Sequence, residues 1–367
     1  MQSNNKKICL VVSSLGKGGA QHAAALQSQM LSKLGYEVHI VTVFPEVFYP
    51  FKGTLYNLGL FKKEKNTVWN RLARLLKFKR YLKAHHFDVI IDHRSRVQAY
   101  REFIITKFIY NVPTIYVIHS FEKSIMFTKY PFLNKFLYKN EILVGVSKAI
   151  TDFYKKEYQL HKIQTIYNAF SFDAIQKQSE APVNDKLLND AYILFYGRLD
   201  NSSKNLELLL QAYKASKLVS KNIKLLILGN GPDKNQLAQY ATDLDLDSHV
   251  IFKPQVKNPF PFVKNALFTV LTSRYEGFPL VLPEALCLGT PVISVDCQSG
   301  PNEIIKHGFN GLLVENFHVN AFAEAMNSFI FDDTLYRFCK QNARKSVLPF
   351  SIEHIALEWD GLLKKIP

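Results

Sequence analysis

Arg274-Tyr-Glu276-Gly-Phe-Pro-Leu-Val-Leu-Pro-Glu284-Ala285 places two carboxylates eight positions apart, across the turn that opens a helix. The apolar run Ala266-Leu-Phe-Thr-Val-Leu271 before it reads as a buried strand. Ala285-Leu-Cys-Leu288 follow, and Gly289 supplies a helix stop. Gly277 permits close backbone approach, and Pro279 and Pro283 fit only early in a helix. A helix start offers unpaired N–H groups and a positive dipole end, which suits a phosphate. Glu276 and Glu284 can then hold the hydroxyls of a sugar and a ribose around that phosphate. So read, the segment grips a nucleotide sugar. Two glutamates at this spacing without the flanking text would be no more than a solvated helix start.

Outward from this segment the chain alternates strands and helices. In the first half, Ile8–Ser13, Val38–Phe44, Val89–Ile91, Thr114–His119 and Leu143–Val146 read as strands, and Gln21–Leu34, Asn66–Ala84, Val97–Tyr110 and Lys148–Tyr158 as helices. Strands separated by helices imply parallel βαβ units. Asp173–Asp190 is polar and fits a linker. A second series follows at Ile193–Tyr196, Lys224–Leu228, Val250–Phe252, Leu267–Leu271 and Val292–Val295, and a helical tail spans Ile352–Lys365. The expected fold class is α/β with two Rossmann-like domains. The expected divisions are residues 1–172, a linker at 173–190, residues 191–350, and a terminal helix within 351–367.

Three further constellations carry chemistry. Ser13-Ser-Leu-Gly16-Lys-Gly18-Gly19-Ala-Gln21 puts glycines between a strand and a helix start, where backbone N–H groups can approach an anion. It is not a dinucleotide fingerprint, because the last glycine of that pattern is Gln21 and no acid follows the second strand to take a ribose. Tyr196-Gly-Arg198-Leu-Asp-Asn-Ser-Ser-Lys204-Asn sets two cations on one loop, with Lys204 expected to begin the next helix. Such cations can neutralise a departing diphosphate, Arg as a fork and Lys as a point charge. His119 ends a strand, and at the C-terminal end of a parallel strand it points into the ligand crevice. Gly229 and Gly231, in Leu228-Gly-Asn-Gly-Pro, can line the same crevice.

The chain has 367 residues and a formal charge of +15. Residues 1–180 carry 27 Lys and Arg against 12 Asp and Glu, whereas residues 181–367 carry 19 of each, so the whole excess lies in the first half. Such a field favours an anionic partner. It is densest at Phe61–Lys83, where Val68, Leu72, Leu75, Leu76 and Leu82 recur at helical spacing between Lys and Arg, beside Trp69. A basic helix of this kind can lie on an anionic membrane surface, or be an ordinary domain helix with a solvated basic face. No apolar run reaches membrane-spanning length, and the N-terminus lacks a signal-peptide apolar region. Cys9, Cys287, Cys297 and Cys339 have no paired or metal-like spacing and read as reduced thiols of a cytosolic protein. The acidic run Asp243-Leu-Asp-Leu-Asp247 reads as a solvated helix end away from strand C-termini, so no metal is expected.

The segment from Ser273 to Ala285 resembles the Glu-x7-Glu motif of retaining glycosyltransferases of family 4, which have the GT-B fold. The Gly-Gly-Ala loop and the Gly-Arg-Leu…Lys-Asn pattern resemble further motifs of that family, in the expected order. Val292–Ile305 is similar to the same region of bacterial surface-polysaccharide transferases. The resemblance implies two domains facing a central cleft, with the last helix crossing back to the first. It implies that Arg198 and Lys204 contact the donor diphosphate, that His119 lies near the donor sugar, and that Glu276 holds that sugar. Gly18, Gly19, Gly229, Gly277, Phe278, Pro279, Leu280 and Glu284 would line the rest of the donor site, and Asn168 resembles the family's Asn at the domain crossing. The activity implied is metal-independent transfer of a hexose or N-acetylhexosamine, with retention, from a UDP-sugar to a glycan or lipid-linked acceptor of surface polysaccharide or lipopolysaccharide. The place implied is the cytoplasm, peripheral on the inner face of the membrane, with no nucleic-acid partner and no cofactor. A GT-B epimerase of UDP-sugars is the alternative, and a basic nucleic-acid-binding protein the weaker one.

Overall fold

A computed structural model describes residues 6–16, 18–65, 67–183, 185, 190–315 and 317–367. The chain forms two compact units, Met1–Ala169 with Ile352–Pro367, and Phe170–Ser351.

The first unit is built on seven parallel strands: β1 (Lys7–Val12), β2 (Glu37–Thr42), β3 (Thr54–Asn57), β4 (Val89–Asp92), β5 (Thr114–Ile118), β6 (Ile142–Gly145) and β7 (Lys162–Thr165). Their order across the sheet is β3-β2-β1-β4-β5-β6-β7. β1, β4 and β5 are rich in Ile, Val and Leu and buried on both faces over nearly all their length, as a helix-covered parallel sheet requires. The order reverses between β1 and β4, and in such sheets ligands bind beyond the strand ends at that switch. One core lies between the sheet and the helix Val68–His85, joining Cys9, Val11, Val41, Phe78, Leu82, Ile90 and Ile105.

The second unit has six parallel strands: β8 (Tyr192–Tyr196), β9 (Lys224–Leu228), β10 (Val250–Lys253), β11 (Thr269–Leu271), β12 (Val292–Val295) and β13 (Gly311–Val314). Their order is β10-β9-β8-β11-β12-β13, with the switch between β8 and β11.

Three differences from the sequence reading have physical causes. β3, β7 and β13 were not expected, and each lies at a sheet edge. Thr54-Leu-Tyr-Asn57 and Lys162-Ile-Gln-Thr165 are partly solvated and lack the apolar run of a central strand. The segment 173–190 is not simply a linker. It contributes to the helix Phe172–Ser179, whose buried Phe172, Ile175 and Ser179 share one face and pack within the second unit; residues 184 and 186–189 lie outside the described residues. The unit boundary accordingly falls at Ala169, ahead of position 172. The third difference is the expected helix Val97–Tyr110, which spans Ala99–Ile104 and then widens into a π-helical turn at Ile105–Ile109.

The terminal helix Ile352–Lys364 belongs to the first unit. Trp359 and Leu363 are buried there, and full burial of such side chains contributes about 1.5–3 kcal/mol each. Tyr36 Oη donates to Asp360 at 2.8 Å, and Lys6 Nζ donates to the carbonyls of Leu363 and Ile366.

Candidate active site

In the second unit the loops after β8 and β11, on either side of the switch, carry the predicted residues. Lys204 Nζ stands 2.6 Å from Glu276 Oε1, and Ser273 Oγ donates to the same oxygen at 2.7 Å. Thr272 Oγ1 donates to the Lys204 carbonyl at 2.9 Å, and the Arg274 N–H to the Ser203 carbonyl at 2.8 Å. The β11 loop is thus tied to the β8 loop by backbone as well as by charge. Lys204 does not begin the long helix that follows. It ends the one-turn helix Asn201–Lys204, and Asn205, at φ 51°, breaks the chain before Leu206–Ala215. Arg198 lies on the same connection between β8 and Leu206–Ala215. It is largely exposed and pairs with Asp200 at 3.1 Å, whose carboxyl is held below its usual value by the Ser202 hydroxyl and the Arg198 charge.

Glycine makes this loop pair possible. The Gly197 N–H donates to Leu228 O and the Leu199 N–H to Asn230 O, both at 3.0 Å. A Cβ on Gly229 would lie 1.9 Å from Gly197 O, and one on Gly231 would lie 2.0 Å from Leu199 O. Gly229 therefore has a packing role at the base of the Arg198 loop.

Gly277, Phe278, Pro279 and Leu280 lead into the helix Val281–Cys287. Ser299 Oγ donates to Gly277 O at 3.1 Å, and Gly300, at φ 97°, packs against Pro279. Glu284 lies on that helix, buried. Tyr196 Oη is 3.0 Å from Glu284 Oε2 and 2.8 Å from Val281 O. One phenolic hydrogen cannot serve both acceptors. A protonated Glu284 resolves the conflict by donating to Tyr196 Oη while Tyr196 donates to Val281 O. Burial pushes the Glu284 carboxyl up to about 7, partly offset by the hydrogen bond that Tyr196 donates to its ionised form.

In the first unit, Gly18 (φ 152°) and Gly19 open the helix Gly19–Lys33; Lys17 lies outside the described residues. The Gly18 N–H faces Tyr49 Oη at 3.5 Å, and His22 stacks on Tyr49. His119 follows β5 directly. Its Nε2 is 2.9 Å from Nδ1 of His93, the residue that follows β4, and His93 Nε2 is 2.6 Å from Gln27 Oε1. Burial, His93 and Arg96 together push the His119 imidazolium well below its usual value, and burial and Arg96 bring His93 to about 3. Both rings are therefore neutral at physiological pH. His119, His93, Gln27 and Asn168 line one small cavity with Ile355 and Trp359 of the terminal helix.

His93 and Gln27 were missed by sequence reasoning. The signal available was Asp92-His93-Arg94-Ser-Arg96 directly after a buried strand beside the switch point. That text also builds the floor beneath the two imidazoles. Arg94 pairs with Asp92 at 2.7 Å and Glu102 at 3.2 Å, all buried. The fully buried Arg96 donates to Arg94 O and Val117 O and lies over the Phe127 ring. The acidic run has local uses: Asp243 ends a helix and Asp247 accepts from Thr242 Oγ1.

Two family models cover most of the chain, Glycosyltransferase Family 4 over residues 17–173 and Glycosyl transferases group 1 over residues 176–346. The chain is a glycosyltransferase. Over 365 residues this glycosyltransferase is 27% identical to the N-acetylgalactosamine-N,N'-diacetylbacillosaminyl-diphospho-undecaprenol 4-alpha-N-acetylgalactosaminyltransferase of Campylobacter jejuni, covering 96% of this chain and 97% of that one. It is 25% identical to a second Campylobacter jejuni enzyme, the GalNAc-alpha-(1->4)-GalNAc-alpha-(1->3)-diNAcBac-PP-undecaprenol alpha-1,4-N-acetyl-D-galactosaminyltransferase, covering 98% and 99%. In fold it is similar to Staphylococcus aureus TarM, solved with Fondaparinux, alpha-GlcNAc-glycerol and UDP, at a TM-score of 0.77 and 17% identity over 98% of this chain and all of that one. The two Rossmann-like units of the glycosyltransferase are those of the GT-B class.

Proposed function

We propose that this glycosyltransferase moves a hexose or N-acetylhexosamine from a UDP-sugar to a glycan or lipid-linked acceptor of bacterial surface polysaccharide, with retention and without a metal. The observation that carries the reading is the Lys204–Glu276–Ser273 cluster at the switch point of the second unit. It sets one cation and one carboxylate on adjoining strand ends, where a diphosphate and a sugar meet in a nucleotide-sugar donor. Lys204, with Arg198, stabilises the leaving diphosphate. Glu276 holds donor-sugar hydroxyls, and Glu284 the ribose. The acceptor hydroxyl attacks from the face the diphosphate leaves, and a phosphate oxygen takes its proton, so the anomeric configuration is kept. The undecaprenol-linked substrates in the names of the two Campylobacter relatives support a lipid-linked acceptor.

Such an acceptor is met at a membrane. Among the described residues no helix is long and apolar enough to cross one. The helix Val68–His85 buries Phe78 and Leu82 but leaves Val68, Trp69, Leu72 and Leu76 exposed among Arg71, Lys77 and Arg80. Trp69 is 80% exposed, and Phe132, on the helix Pro131–Tyr138, is 84% exposed. Apolar side chains standing out from a basic surface fit an anionic bilayer face. We assign the enzyme to the cytoplasmic side, bound peripherally.

The direct test is incubation of the purified protein, in EDTA, with a panel of nucleotide sugars while free nucleotide is measured. Slow hydrolysis of one sugar, lost in Glu276→Ala, supports the donor and the metal independence together. Conversion of a nucleotide sugar into its epimer without acceptor would overturn the transfer reading.

A further inference from the structure

The cation and the carboxylate of the second unit occupy each other. Lys204 Nζ stands 2.6 Å from Glu276 Oε1, and the Ser273 hydroxyl donates to the same oxygen at 2.7 Å. The two side chains are 23% and 12% exposed, so water screens their attraction only in part. The neighbouring pair of Arg198 and Asp200 differs, because its arginine is 68% exposed and largely screened. In the proposed function the same two groups serve the donor, Lys204 its diphosphate and Glu276 its sugar. A diphosphate that draws Lys204 away leaves Glu276 a partly buried carboxylate without its cation, which is unfavourable. Sugar hydroxyls restore hydrogen bonds to that carboxylate. Free UDP has no sugar on its diphosphate and restores none. We propose that Glu276 is also a specificity-determining residue against free UDP: it reclaims Lys204 whenever no sugar covers it, weakens the hold on UDP relative to the UDP-sugar, and so favours release of UDP after transfer.

The exchange needs no movement of the loops. Thr272 Oγ1 donates to Lys204 O at 2.9 Å, the Arg274 N–H to Ser203 O at 2.8 Å, and the Arg274 guanidinium to Asn205 Oδ1 at 2.8 Å. These bonds fix the backbone on both sides of the pair, while the flexible four-carbon stem of lysine lets Nζ turn from one anion to the other. Ser273 is fully buried, and its hydroxyl keeps Glu276 Oε1 on the lysine side. All of these groups belong to the second unit. The discrimination rests on the proposed transfer function, which makes UDP the product; the ion pair does not.

The test is calorimetric titration of UDP, in EDTA, into the wild-type protein, Glu276→Gln, Lys204→Met and the double variant, with uridine as the ligand that lacks phosphates. Glutamine keeps the length of Glu276 and an acceptor for Ser273 but gives up the charge. Glu276→Gln should bind UDP about fivefold tighter or more, although the change removes a group that serves the donor. In the Lys204→Met background the same change should gain about twofold or less, because no cation is there to be released. Uridine should bind all four forms alike. An equal gain in both backgrounds assigns the effect to plain repulsion between Glu276 and the phosphates and overturns the proposal. Unchanged or weaker binding of UDP by Glu276→Gln overturns it as well, and so does a matching gain with uridine. Failure of UDP to bind any of the four forms overturns instead the UDP-sugar reading on which the proposal rests.

Discussion

At the scale of single residues, the site holds two carboxylates in different states. Glu276 is paired with Lys204 and reachable, whereas Glu284 is buried beside a hydroxyl that already has another acceptor. A buried acid raised from 4.5 to about 7 keeps its proton in the folded state across a window where the unfolded chain has lost it. Its contribution to stability therefore falls as pH rises from about 4.5 to 7 and is level above that, a loss on the order of 3 kcal/mol. Glu284→Gln removes the effect. Its melting temperature should exceed that of the wild type at pH 8, and the gap should close toward pH 4.5; a gap independent of pH would contradict the assignment. The same variant should bind UDP more weakly, and wild-type affinity for UDP, measured by calorimetry, should drop as pH falls below about 7. For the paired carboxylate, Glu276→Ala and Lys204→Ala should each cut turnover by about 10²–10³ or more with an unchanged circular dichroism spectrum. Near-normal rates in both would remove them from the chemistry.

At the scale of elements, the loops are held by close backbone approaches that only glycine allows. Gly229→Ala pushes a methyl group into the Gly197 carbonyl and should cost at least about 2 kcal/mol, displacing Arg198 as well. Gly361→Ala is the contrast. That glycine lies inside the terminal helix with open space at its Cβ, so the change should stabilise by about 0.5–1 kcal/mol. Denaturant titration of both variants checks the pair, and a mild Gly229→Ala would refute the loop-packing account. These elements also mark what a sequence can disclose. The central strands were legible because burial on both faces demands runs dominated by apolar side chains, Ile, Leu and Val above all. The edge strands β3 and β7, half in water, left no such trace. Glu276, Lys204 and Arg198 were legible because they sit at fixed offsets from a strand end. His93 and Gln27 were not, since their pairing spans 66 positions and exists only once the helix after β1 folds back over the strands. The arginine floor was hidden for the same reason: Arg96 looks like any cation until the chain buries it among aromatic rings.

At the scale of the whole molecule, charge and exposed apolar side chains concentrate in residues 1–180. Liposomes with anionic lipid should bind the protein and neutral ones should not, and raising salt to 0.5 M should release it. Trp69→Ala with Phe132→Ala should lower the affinity several-fold without changing hydrolysis of soluble donor. Equal binding to neutral liposomes would refute the electrostatic part, and unchanged binding of the double variant the apolar part. The order of the two units along the chain has a further effect. The second unit is one continuous stretch, whereas the first closes with residues that come after it. During synthesis the second unit can fold while the first still waits for its last helix. Ile355 and Trp359, which wall the cavity beside His119, are made only after the whole second unit. A chain that stalls before them carries a finished cation–carboxylate cluster and an unfinished histidine wall, so the second unit takes shape ahead of the first although the first begins earlier in the chain.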